Sequence, residues 1–294
     1  MNPVDLHTHT TKSDGSYSPV QLVNYAIEKG LSAVAITDHD TTEGLAEAIA
    51  HAASLKEQGR PSIEVIPGIE LSTKYENEKE VHIVGLYISY DSPVFQETLQ
   101  AFVNSRIQRN IKMCNRLKEA GIDISFDKLQ AENPGAVITR AHYASYLVKY
   151  GYVKSNADAF SQYLGDHTKY FVPREKVTPA QAVKLLLDAG GIPILAHPPL
   201  YHMGKERLEH LVADLKSTGL MGIETLYSSY NQQDERDMLS LAKTYDLLCS
   251  GGSDFHGANK PGLELGCGYG KLFVPEEFLN KIKAAKTRKD DNKL

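Results

Sequence analysis

Apolar and polar positions follow two different rhythms along this chain. Short, nearly unbroken apolar runs at residues 3–7, 33–37, 63–66, 81–88, 192–196, 221–226, 247–250 and 271–274 have the length and composition of buried strands. Between them, apolar residues recur three and four apart, which predicts helices. Val20, Val23, Ala26 and Ile27 form one such stripe. Ser18 caps it, Pro19 fills its first turn, Gln21 completes a capping box and Gly30 stops it. A second helix is expected at about 43–58. The capping box with proline recurs at Thr178-Pro179-Ala180-Gln181, and further helices are expected at 205–217, 231–244 and 275–286. The tail 287–294 is polar and expected to fray.

The first ninety residues therefore read β-α-β-α-β-β, and the same rhythm resumes near residue 178. Such alternation implies an α/β fold with a largely parallel sheet and helices outside it. The rhythm breaks in between. A helix opens at Ser92-Pro93 and runs to Glu119 before Gly121, with further helical segments at 139–150 and 156–164 and no strand. The expected organisation is a barrel built from residues 1–99 and 171–294, with residues 100–170 as a helical insertion that caps it.

The strand-like runs end in residues that carry chemistry. His7 and His9 are separated by one residue, so in extended chain they point the same way and can reach one ion together. Asp14 follows in a turn. Later runs end at Asp38-His39-Asp40, Glu70, His197 and Asp254-Phe255-His256, and His82 lies at the start of its run. In parallel α/β barrels, functional residues gather at the C-terminal strand ends. Any one of these histidines alone reads as a hydrogen-bonded core or surface residue; the repetition makes the cluster. Imidazoles and carboxylates without paired thiolates suit manganese, iron or zinc rather than a structural zinc site. So many ligands exceed the needs of one ion, and two or three divalent ions are the economical explanation. Asp38 and Asp40 are candidates for partners that orient the ligands.

Composition narrows the class. The 294 residues carry a net charge of −5, which gives no general nucleic-acid-binding surface. Cys114, Cys249 and Cys267 are too few and too scattered for a disulfide framework or a zinc motif, and read as free thiols in a reducing cytosol. There is no signal peptide and no apolar run of membrane-spanning length, so a cytoplasmic protein is expected. A nucleophile elbow and a phosphate loop are both missing, which disfavours a serine hydrolase and a nucleotide-driven motor.

Five stretches carry a resemblance: Asp5-Leu6-His7-Thr8-His9 with Ser13-Asp14-Gly15; Ile36-Thr37-Asp38-His39-Asp40-Thr41; Pro67-Gly68-Ile69-Glu70; Ala196-His197-Pro198; and Gly252-Ser253-Asp254-Phe255-His256-Gly257. Together they resemble the PHP (polymerase and histidinol phosphatase) superfamily. The resemblance implies a distorted (β/α)7 barrel of TIM type with a two- or three-metal centre. Its metal ligands would be His7, His9, Asp14, His39, Glu70, His82, His197, Asp254 and His256, with Glu70 bridging. Glu70 and His197 would stand nearest the water that attacks phosphorus. Ile138-Thr139-Arg140-Ala141-His142 and Tyr170-Phe171-Val172-Pro173 are similar to the insertion of the TrpH-like branch, in which Arg140 and His142 match residues on a substrate phosphate. That branch implies a phosphoesterase of small nucleotides, such as nucleoside 3′,5′-bisphosphates, or a 5′-3′ exoribonuclease of short RNA. A cyclic sugar-phosphate phosphodiesterase is the alternative within the fold. Outside it stand an amidohydrolase-type C–N hydrolase and a non-catalytic metal module. Manganese is the first choice of metal, and neither a membrane nor an obligate protein partner is expected.

Overall fold

The computed structural model describes residues 2–76, 79–173 and 177–291. Its strands are β1 (Pro3–Asp5), β2 (Ala33–Ile36), β3 (Glu64–Tyr75), β4 (Lys79–Leu86), β5 (Ile192–Leu195), β6 (Gly222–Tyr227), β7 (Leu248–Gly252) and β8 (Val274–Pro275). They form one sheet in the order β7-β6-β5-β4-β3-β2-β1-β8. β4 runs antiparallel to both neighbours and β8 antiparallel to β1; the other pairings are parallel.

β7, at one end of this order, meets β1, next to the other end. Leu6 N donates to Gly251 O at 3.2 Å, Asp254 N to His7 O at 2.8 Å and His9 N to Phe255 O at 2.9 Å. A barrel closes along this seam. Gly252 is required there, because a Cβ on it would lie 2.5 Å from the His7 backbone.

The helices are α1 (Pro19–Glu28), α2 (Leu45–Glu57), α3 (Pro93–Glu119), α4 (Phe126–Glu132), α5 (Arg140–Lys149), α6 (Asn156–Ala159), α7 (Pro179–Asp188), α8 (Lys205–Thr218), α9 (Gln232–Thr244) and α10 (Glu276–Asp291). The capping boxes expected at Ser18 and Thr178 are both formed. The sheet buries both faces by alternation: Ala33 and Ala35 join one apolar cluster with Val4, Leu6 and Ile194, whereas Val34 and Ile36 join another with α1, α2, α7, α8 and α9. A third cluster is built by Met113, Leu117, Leu129, Tyr143, Leu147 and Leu164. α3 joins the two regions, with Phe95 and Leu99 in the barrel core and Met113 and Leu117 in the third cluster.

Several expectations are corrected. β3 does not stop before Glu70; it continues to Tyr75, because β4 folds back on it and supplies hydrogen-bond partners from Gly68 to Tyr75. Glu70 therefore sits inside a strand. The short helix α4 was not expected. Residues 160–164 form a π-helical turn after α6 rather than continuing an α-helix. β8 is limited to Val274–Pro275, and α10 extends to Asp291 where fraying was expected; residues 292–294 of that tail lie outside the described residues. No helix among the described residues is long and apolar enough to cross a membrane.

Candidate metal centre

β1 ends below the cleft, and its extension carries His7 and His9, both fully buried. The turn after them holds Asp14. Gly15 is needed in this turn, since a Cβ there would lie 2.3 Å from His9 O. Asp38 fixes the same turn, accepting from Thr10 N at 2.7 Å, Thr10 Oγ1 at 2.6 Å and Ser13 Oγ at 2.6 Å. His39 follows β2. The antiparallel run of β4 brings His82 to the same rim, which resolves its position at a strand start. β5 delivers His197, and the loop after β7 delivers Asp254 and His256.

Glu70 is the hub. Its Oε1 stands 2.8 Å from His82 Nδ1 and 3.1 Å from His197 Nε2. Its Oε2 stands 2.9 Å from His39 Nδ1, 3.3 Å from His9 Nε2 and 3.4 Å from His7 Nε2. Asp14 Oδ1 lies 3.1 Å from His256 Nε2, and Asp254 Oδ1 lies 3.1 Å from His9 Nε2. Asp40, His197 and Asp254 hold positive φ angles of 53°, 31° and 55°, a conformation that costs about 1–3 kcal/mol each and concentrates at functional sites.

Electrostatics follow from this crowding. Burial would raise the Glu70 carboxyl, but His39, His82 and His7 outweigh it and hold it well below the usual range. Asp14 is held low in the same way by His39 and His256 against its own burial. Burial would lower His9 and His82, yet Asp254 and Glu70 raise His9 to about 9, and Glu70 and Glu80 raise His82 to about 10.

These residues fit metal ions. Four groups of donor atoms lie within 4.8 Å of one another: His9, Asp14, His39 and His256; His7, Glu70 and His197; His7, His9 and Asp254; and His39, Glu70 and His82. Buried side-chain atoms without a hydrogen-bond partner concentrate here, among them His7 Nε2, His9 Nε2, Asp14 Oδ1, His39 Nδ1 and Glu70 Oε2. Buried polar atoms are normally satisfied. A set that converges without hydrogen-bond alignment suits cations placed between its members.

Supporting residues include some that the sequence reading missed. His7 Nδ1 donates to Glu224 Oε1 at 2.9 Å, which leaves Nε2 facing Glu70, and Glu224 Oε2 accepts from His197 N at 2.7 Å. Glu224 is a single acid inside the apolar run 221–226, and that was its only sequence signal. Tyr227 OH and Lys260 Nζ both donate to Asp254 Oδ2 at 2.6 Å, so Oδ1 is the oxygen turned inward. Asp5, one layer below, accepts from Ser253 N at 2.9 Å and Gly266 N at 2.8 Å; burial pushes it up to about 6. Asp40 supports Arg106, whose Nε donates to it at 2.8 Å, and Ser72 N, which donates at 3.1 Å.

The cleft above the cluster is lined by Asp14, His39, Glu70, His197 and Asp254 on the barrel side and by Arg106, Arg109, Thr139, Arg140 and Phe160 on the helical side. Arg140 reaches it, held by Glu80 and by Asp166 Oδ1 at 2.5 Å. His142 lies beside the cluster, near Asp14, Ser13 and His39, but its ring is engaged in a helix cap. Its Nδ1 accepts from Thr139 N at 2.9 Å in a capping box of α5.

Comparison with known proteins identifies the family. The model of the PHP domain matches residues 5–173. A 5′-3′ exoribonuclease of Haemophilus influenzae is 40% identical over 86% of this chain and 89% of its own. A 3′,5′-nucleoside bisphosphate phosphatase of Chromobacterium violaceum is 34% identical over 90% of this chain and 91% of its own. A solved structure from Chromobacterium violaceum, described as an amidohydrolase with bound sulfate and no metal, superposes with a TM-score of 0.84 at 32% identity over 96% of both chains. The match to the family model over more than half of the chain, and relatives at this identity along most of its length, establish that the chain belongs to the PHP domain family of metal-dependent phosphoesterases.

Proposed function

We propose that this protein removes phosphate from small nucleotides that carry a second phosphate, nucleoside 3′,5′-bisphosphates being the type. The observation that carries the reading is Glu70, one buried carboxylate shared by five imidazoles, in a cleft whose opposite wall holds Arg140. His9, Asp14, His39 and His256 would hold one ion and His7, Glu70 and His197 a second, and the groupings of His7, His9 and Asp254 and of His39, Glu70 and His82 leave room for a third. Manganese is the first choice and iron or zinc the alternatives, because the donors are nitrogen and oxygen without thiolate. When bound, such ions activate water at neutral pH and neutralise charge that develops on phosphoryl oxygens.

The chain's own part is positioning. Glu224 sets the tautomer and angle of His7, while Tyr227 and Lys260 hold Asp254, so these groups need no reorganisation during reaction. Glu70 and His197 would stand nearest the water that attacks phosphorus. The planar fork of Arg140 suits the second phosphate. Residues 100–170 act as the capping insertion and restrict water at the cleft mouth. The Haemophilus relative supports a second reading, 5′-3′ exoribonuclease on short RNA, which makes the same demand for a phosphate ester beside another phosphate.

The test gives manganese-loaded protein adenosine 3′,5′-bisphosphate, AMP and a short 5′-phosphorylated RNA. Phosphate release from the bisphosphate well above that from AMP is expected. Stepwise nucleotide release from RNA would transfer the reading to exoribonuclease. Turnover of none, with metal bound, would sink both, and a panel of cyclic phosphates and amides run alongside would name the replacement.

A further inference from the structure

Arg109 lines the helical side of the cleft. It lies on α3, three residues after Arg106 and four before Met113, so the three share one side of the helix. The neighbouring cations are engaged. Arg106 donates to Asp40 and to Ser72 Oγ at 2.9 Å, and Arg140 is held by Glu80 and Asp166. Arg109 differs. Among the described residues no carboxylate lies within ion-pair distance of it. Its Nη1 meets only Met113 Sδ, at 3.3 Å, and its Nε is buried without an acceptor. The residue is 8% exposed. Burial, with the charge of Arg106 added, pushes the guanidinium down to about 10.

A buried charge without a counter-ion is costly. A fold that keeps one gains where an external anion supplies the missing charge. Arg109 is placed for that: it lines the cleft above the metal cluster and also a side chamber shared with Lys74, Arg140 and Glu80. Glu80 is the acid there, and it is already divided between Arg140 and His82 Nε2, which stands 3.5 Å away. The chamber thus holds more positive than negative charge.

We infer that Arg109 receives the second phosphate of the substrate, closing on it from the inner side while Arg140 holds it from the outer side, and so sets the preference for doubly phosphorylated nucleotides. The inference rests on the phosphoesterase reading above. Glu80 is the resident counter-charge, and it releases Arg140 as the phosphate arrives.

The test uses manganese-loaded wild type and Arg109→Met, which keeps side-chain length and removes the charge. The ratio of kcat/KM for adenosine 3′,5′-bisphosphate over AMP is expected to fall at least about tenfold, the worth of one charge-assisted hydrogen bond. The rise in Tm produced by sulfate is expected to shrink. The Tm without sulfate is expected to hold or rise, since no unpaired charge remains buried. Arg109→Lys should recover part of the ratio, because charge returns without the fork. A lower sulfate-free Tm in Arg109→Met with the substrate ratio kept would make Arg109 a purely structural residue and overturn the inference. A wild type without preference for the bisphosphate sinks the functional reading instead. In that case an unchanged sulfate response in Arg109→Met sinks the anion site too, whereas a lost response keeps it for a different substrate.

Discussion

Glu70 and Glu224 divide the work at the residue scale. Glu70 faces the imidazoles directly; Glu224 stands behind His7 and presents its Nε2 inward. Replacing Glu224 by Gln keeps shape and removes the charge that fixes the tautomer, so metal affinity should fall roughly 10–100-fold. Metal titration of the variant checks this, and an unchanged affinity would reduce Glu224 to a packing residue. His7, His9, His39, His197, Asp254 and His256 were visible in the sequence because each closes or follows an apolar run, where a polar residue stands out. Glu224, Lys260 and Tyr227 were not. Their roles arise from tertiary approach: Tyr227 meets Asp254 only because β6 lies beside β7. Arg109 was hidden for a related reason. On a long helix a polar residue reads as solvent-facing until packing buries it.

At the scale of elements, α5 is tied to the metal centre by its first turn. Thr139 Oγ1 donates to Asp14 Oδ2 at 2.8 Å and accepts from Ala141 N at 3.2 Å, and Val137 N donates to Lys12 O at 3.0 Å. One hydroxyl therefore caps the helix that carries Arg140 and orients a candidate ligand. Thr139→Val removes both functions and should cost about 1 kcal/mol for the cap and about tenfold or more in metal affinity. Thr139→Ser should retain both. Calorimetric Tm and metal titration measure the two effects separately, and a Val variant with full affinity would break the proposed tie. Strand and helix types were read well where runs were long and capped. They were read poorly where a partner decides the outcome. The extension of β3 to Tyr75 depends on pairing with β4, and α4 has only seven residues, too few for a periodic stripe to show.

At the scale of the whole molecule, the barrel surrounds the cluster with buried walls, and this sets how protons and metals compete. His9 and His82 bind protons up to about pH 9 and about pH 10 in the metal-free fold, against an ordinary imidazole value of 6.5. Their folded values are raised, so the stability they contribute is complete below pH 6.5 and lost as pH rises through 9 to 10. Metal ligation requires neutral imidazole. Loading manganese at pH 8 should therefore expel protons from both residues. Titration calorimetry in buffers of different ionisation enthalpy reads that release directly, and heats that do not change with buffer would contradict the assigned protonation. The same seam that closes the barrel joins His7 and His9 to Asp254 and His256 across nearly the full length of the chain. A ribosome adding roughly 5–20 residues per second makes the first pair tens of seconds before the second. Until then the two histidines alone would offer an open two-nitrogen chelate, the kind of site that follows raw affinity and favours copper or zinc. Selection for the intended ion begins only when β7 and the loop after it arrive, which makes metal choice a property of the closed barrel and of the ions then within its reach.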